Sequence, residues 1–163
     1  GGCLLAAIHE IDLARWYLGE VETVAAMTGQ LSDLDLNVED VASVLLRHVG
    51  GRQSEVHLDY VQRTAAKGSL VVGTEGAVEW DWSRKEVRLT CSDGTQRCEE
   101  LRPAGWDVNQ MYVDEMAHFT ECVDSGQQTC NPVADAAVVN RIAFAIEQSS
   151  RERRFVDLPA VVA

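Results

Sequence analysis

A chain of 163 residues suits one domain with a substantial core and is short for two. Its 46% hydrophobic content excludes a disordered chain. A formal net charge of −12 argues against nucleic acid and anionic membrane as partners, since both need clustered Lys and Arg.

The five cysteines are widely spaced, none forms a C-x-x-C, and the four histidines do not cluster with them. Reduced thiols, a cytoplasmic setting and no metal site are therefore expected. The longest apolar runs fall far short of a membrane span. The sequence opens without an initiator Met and inside a motif, which leaves room for truncation or processing.

Gly2 to Leu18 reads as a helix, with Leu5, Ile8, Ile11 or Leu13, Ala14 and Leu18 at helical spacing and Gly19 as its stop. On it His9, Asp12 and Trp16 fall at i, i+3 and i+7, hence on one face. An imidazole and a carboxylate one turn apart can form an acid–base pair, the carboxylate orienting the ring. The bland alternative is a His and an Asp that simply meet solvent.

Val21 to Thr28 is rich in β-formers and reads as the first strand; Leu31 to Asn37 reads as an acidic loop. Val38 to Val49 alternates, and Gly50-Gly51 supplies a hairpin turn. The returning strand, Arg52 to Arg63, sets Val56, Leu58 and Tyr60 against Glu55, His57, Asp59, Val61 and Arg63. His57 and Asp59 fit a solvated sheet face, whereas Arg63 stands at a strand end, where sites gather.

Ser69–Val72 and Ala77–Trp82 form a second hairpin around Gly73-Thr74-Glu75-Gly76. Its G-x-x-G follows a strand, but no helix succeeds it, so a turn is expected and not a phosphate loop. Val78, Trp80 and Trp82 share a face. Glu86–Cys91 and Thr95–Leu101 make a third hairpin, and Arg102-Pro103-Ala104-Gly105 breaks the sheet.

A helix from Asp107 to Asp124 follows, with Tyr112, Met116, Phe119 and Val123 as its expected buried stripe, ended by Ser125-Gly126. Asn131 as N-cap and Pro132 as first residue open a last helix carrying Val139, Ile142, Ala143 and Ile146. Phe155 to Leu158 is a possible edge strand. The layout is α+β in one domain spanning 1–163: a large, mostly antiparallel sheet, helices packed on one face and the other open for oligomerisation.

The opening run GG-x-L-L-x-x-x-H-E-I-D-L-A-R-W-x-L-G resembles the start of the C-terminal domain of the Gfo/Idh/MocA family of nicotinamide-dependent sugar and polyol dehydrogenases. V-H-L-D-Y-V-Q-R at 56–63, G-T-E-G-A-V-E-W-D-W at 73–82 and Y-V-D-E-M-A-H-F at 112–119 are similar too, in the same order. The resemblance implies a substrate and oligomerisation domain whose N-terminal Rossmann partner, with its glycine-rich turn and Glu-Lys-Pro lysine, has no counterpart in this sequence. NAD or NADP would then belong to the full-length parent, and this chain alone is expected to bind neither and to be inactive by itself.

By the same resemblance His9, with Asp12 beside it, serves the proton transfer of a sugar-like substrate. Arg63 and Tyr112 are expected to line its pocket. One departure stands out: many relatives have an acidic residue shortly before the His, where this chain has Leu5-Ala6-Ala7-Ile8. A non-catalytic ligand-binding or dimerisation module is the competing reading. A hydrolase using His9 is weaker, for no nucleophile motif such as G-x-S-x-G accompanies it.

Overall fold

The computed structural model of the protein describes residues 1–100 and 105–159. The order of elements is α1 (Cys3–Ala6), α2 (Ile8–Leu18), β1 (Val21–Gly29), β2 (Val41–His48), β3 (Gln53–Asp59), β4 (Gly68–Gly73), β5 (Gly76–Asp81), β6 (Glu86–Cys91), β7 (Gln96–Glu100), α3 (Asn109–Ser125), α4 (Val133–Glu152) and β8 (Val156–Asp157). The α+β class expected from the sequence is borne out. The strands divide into two four-stranded antiparallel sheets, ordered β3-β2-β1-β8 and β4-β5-β6-β7, where the sequence suggested one large sheet. The division falls at the stretch after Asp59, which lies outside any strand until Gly68.

The chain forms two compact units, one of residues 1–61 and 130–163, the other of residues 62–129. In the first, β2 shows the cleanest alternation. Ala42, Val44, Leu46 and His48 are buried while Ser43, Leu45 and Arg47 are exposed. The register carries this across the sheet, pairing Val24 with Leu46 and Val44 with Val56 on the inner face. Against that face pack Leu4 and Ile11 from the N-terminal helices and Val139, Ile142 and Ile146 from α4. Each fully buried aliphatic side chain of this kind contributes about 1.5–3 kcal/mol. The helices thus cover one face of this sheet, as expected.

Two seams fix α4 to β1. The Ala26 amide donates to Ser149 Oγ at 3.1 Å, and the Ser149 hydroxyl donates to the Arg154 carbonyl at 2.6 Å. One residue further, the Thr28 amide donates to Ser150 Oγ at 2.9 Å. At the other end of the hairpin, Gly50 and Gly51 both take left-handed φ angles of 88° and 84°, which is what the sequence assigned them to do.

The N-terminal helix is broken where the sequence showed it continuous. Ala7, with φ −110° and ψ 29°, separates α1 from α2. A partner far along the chain holds the start of α1. Glu39 accepts the Cys3 amide on its carbonyl at 3.1 Å and the Leu4 amide on Oε1 at 3.2 Å, so α1 is pinned from outside. A Cβ at Gly2 would meet the Glu39 carboxylate and force it to shift. The Cys3 thiol is buried under this joint, and desolvation together with Glu39 and Asp40 pushes it up to about 11.

The acidic loop before β2 is organised by Asp40, a fully buried carboxylate. It accepts the amides of Leu31 and Ser32 at 2.7 and 3.0 Å, and the Ser32 hydroxyl also donates to it. The Ser32 hydroxyl and the Leu31 amide hold its carboxyl below the usual carboxylate range. A depressed folded-state pKa contributes stability that is present above the unfolded value, near 4, and lost as pH falls through the folded one. Asp40→Asn should therefore lower the thermal midpoint by several degrees at pH 7 and flatten the loss of stability below pH 4. Unfolding followed by circular dichroism across that range checks this; equal midpoints at pH 7 would contradict it.

In the second unit α3 starts where the Asp107 side chain accepts the Asn109 amide at 3.0 Å, and ends at Gly126 in the left-handed region. Its stripe corrects the expectation from the sequence. Tyr112, Met116, Phe119 and Val123 are all more than half exposed, and Cys122 is the buried residue of the helix. Amphipathic spacing identifies a face that favours cover; it does not supply the cover. The hairpins β4–β5 and β6–β7 keep the expected pairing, with Ser69 opposite Trp80 and Arg88 opposite Cys98. The anticipated break at residues 102–104 lies outside the described residues. In α4, Pro132 takes the cap position and the helix begins at Val133, one residue later than Asn131 as cap implied.

Candidate functional site

The site is built on α2. Ile11, wholly buried, seats the helix on the core, and Gly19, at φ 89°, ends it as its amide donates to the Arg15 carbonyl at 2.7 Å. Arg15 ties the helix down a second time. Its Nη2 donates to Glu20 Oε1 at 2.6 Å and to Asp135 Oδ1 at 3.2 Å, joining α2, the turn into β1 and the first turn of α4. Its side chain is only 15% exposed, whereas Glu20 and Asp135 meet it from the surface at 37% and 51% exposure. The hydrogen bond to Glu20 holds the guanidinium above its ordinary range, against the opposing effect of burial.

From this fixed helix His9 reaches outward, its side chain 61% exposed, with Nε2 at 3.1 Å from Glu10 Oε1. Asp12 stands one turn on, with Arg15 Nη1 at 3.8 Å. Trp16, 78% exposed, continues the same face and lies with its ring centroid 5.5 Å from that of Tyr17. The structure thus carries His9, Asp12 and Trp16 on one helix within the first unit. Arg63 and Tyr112, both exposed, belong to the second unit.

Further polar groups appear on both faces of the first sheet. On the open face Ser43 Oγ lies 3.3 Å from His57 Nδ1, and His57 Nε2 lies 3.1 Å from Asp59 Oδ2. On the covered face His48 is fully buried, with Nδ1 2.7 Å from the Gly19 carbonyl and Nε2 2.8 Å from Ser54 Oγ. A carbonyl only accepts, so Nδ1 carries the proton and the Ser54 hydroxyl donates to Nε2. His48 is a structural clamp between the end of β2 and the α2–β1 turn.

Among the described residues no group of three His, Cys, Asp or Glu could hold a metal ion. The G-x-x-G of Gly73 and Gly76 closes the β4–β5 hairpin. A Cβ at Gly76 would collide with the Thr90 carbonyl oxygen, so the glycine serves strand packing and does not form an open phosphate cradle. No helix of the described residues is long and apolar enough to cross a membrane.

A helix-covered antiparallel sheet that presents polar side chains from its first helix, with a second antiparallel sheet following it in the chain, makes this an α+β protein. Residues 1–79 match the model of the GFO/IDH/MocA C-terminal domain. The chain is 27% identical over 166 residues to a D-apiose dehydrogenase of Rhizobium rhizogenes, covering 95% of this chain and 48% of that protein. It is 28% identical over 174 residues to a myo-inositol 2-dehydrogenase of Thermotoga maritima, covering 99% and 51%. Among solved structures, an oxidoreductase from Agrobacterium radiobacter in complex with NAD+, L-tartaric acid and magnesium superposes with a TM-score of 0.76 at 25% identity, over 93% of this chain and 47% of that one. Over residues 1–79 the chain is thus similar to the C-terminal domain of the Gfo/Idh/MocA family, the family its opening run resembles. It spans about half the length of the curated relatives it matches.

Proposed function

We propose that this chain is the substrate-binding and oligomerising half of a cytoplasmic NAD(P)-dependent oxidoreductase acting on a sugar, a polyol or a sugar derivative. The observation that carries the reading is His9, exposed on a doubly anchored helix within the very stretch the family model matches. The names of the dehydrogenase relatives supply the substrate class. A dinucleotide bound by a Rossmann half outside this chain would supply the hydride acceptor or donor.

The residues of this chain supply the rest. His9 takes the proton of the reacting hydroxyl or gives it back, and Asp12 accepts a hydrogen bond from a hydroxyl on the same side. Sugars suit such a set, since each hydroxyl both donates and accepts. The apolar open face of the first sheet pairs with a second copy.

The apolar stretch Leu5 to Ile8, which lacks the acid many relatives carry before the His, favours a second reading, a module that binds and dimerises without catalysis. One assay separates the two. The full-length protein should reduce NAD+ or NADP+ with at least one member of a panel of aldoses, inositols and sugar acids. A folded full-length protein that reduces neither dinucleotide with any of them, and oxidises neither reduced form with the matching carbonyl compounds, would leave the module reading in place.

A further inference from the structure

We propose that Glu10 is the positioning residue of His9: its carboxylate fixes the imidazole, and it acts on the reaction only through that ring. The inference rests on the reading above, in which His9 handles the substrate proton. Sequence spacing put Asp12 forward as the orienting acid, one helical turn from His9. The side chains are arranged otherwise. His9 Nε2 lies 3.1 Å from Glu10 Oε1, within the reach of an N–H···O contact. Asp12 is set beside Arg15, which Glu20 and Asp135 hold in place.

Consecutive helical residues normally diverge by about 100°, which is why spacing does not select Glu10. Here α2 starts afresh at Ile8 after the break at Ala7, so both residues sit in its first turn. A carboxylate is favoured at that end of a helix. Exposure divides the labour as well: the Glu10 side chain is 19% exposed against 61% for His9. The acid is packed back against the protein and the ring reaches out from it. That is the arrangement of an orienting group behind a working one, and it supplies the acid missing from the Leu5–Ile8 stretch.

A double-mutant cycle in the full-length enzyme tests this, using Glu10→Gln, His9→Ala and the pair. Glu10→Gln keeps the shape and removes the charge. Alone it should lower kcat roughly 10-fold, a fraction of the effect of losing a positioned acid–base group, with KM changed less than twofold. Added to His9→Ala it should change kcat by less than twofold, because the ring it acts through is gone.

Equal losses in both backgrounds would make Glu10 a structural residue or a direct substrate contact and overturn the proposal, as would an unchanged kcat for Glu10→Gln alone. If His9→Ala itself leaves turnover intact, the reading of the site fails and this inference with it. That outcome differs from the case in which only Glu10→Gln is silent. In the 163-residue chain, NMR relaxation of the His9 ring carbons should show a more mobile ring in Glu10→Gln. Identical ring motion in the two proteins would also overturn it.

Discussion

Replacing His9 with alanine in the full-length protein should slow hydride transfer by roughly 10²-fold or more, the usual scale for a positioned acid–base group. The effect should appear in kcat and in kcat/KM together, because the proton moves only as the transition state is reached. Binding of the dinucleotide should be unaffected, since no residue near His9 is asked to hold it. His9 is mostly exposed, and Ile11 and the Arg15 network seat the helix without it, so the variant should fold with an unchanged thermal midpoint. Stopped-flow measurement of dinucleotide reduction separates the chemical step from product release. Unchanged turnover would place His9 among surface residues with no part in the reaction.

The second large effect concerns association. The open face of the first sheet carries Met27 and Leu45, 80% and 55% exposed, with Phe155 at 67% close by. Leu45, Ala25 and Phe155 line a shallow depression edged by Thr23, Arg47 and Gln53. Contiguous apolar surface of this kind on a sheet is usually covered. A twofold pairing of the sheet on itself covers both copies with one contact. Glu55 stands opposite Leu45 in the register and Arg47 opposite Gln53, so each copy offers charges of both signs around the apolar patch.

The overall charge of −12 opposes association, but over a Debye length of about 8 Å at physiological salt it is largely screened. Light scattering at that salt should give at least twice the 17.9 kDa of one chain. Leu45→Glu would put an unpaired charge in the middle of the contact and should weaken association by roughly 10²-fold or more. A monomer at high protein concentration, or a dimer indifferent to Leu45→Glu, would remove this face from the interface.

Much of the fold was legible because its signals are local. The period of two in β2 and β3, Gly50-Gly51 between them and Gly126 after α3 each act within a few residues. What escaped the sequence depends on residues far apart. Glu39 holds the start of the first helix from 35 positions away, and Asp135 grips Arg15 from 120. The burial of Asp40 and His48 follows from donors and acceptors that only the folded loop and turn bring to them. The α3 stripe failed for a different reason, since its spacing was real and its cover was assumed.

The site divides along the same line. Resemblance and spacing picked out His9 and Asp12, and the structure puts both on one face of an anchored helix. Glu10 was hidden by the rule that adjacent helical residues diverge.

The most direct test of the central claim is a crystal structure of the full-length protein with its dinucleotide and an unreactive analogue of its sugar or polyol. A His9 ring nitrogen should lie about 3 Å from the hydroxyl on the reacting carbon, with that carbon facing the nicotinamide. A sugar bound beside the nicotinamide with His9 turned to solvent and out of reach would contradict it.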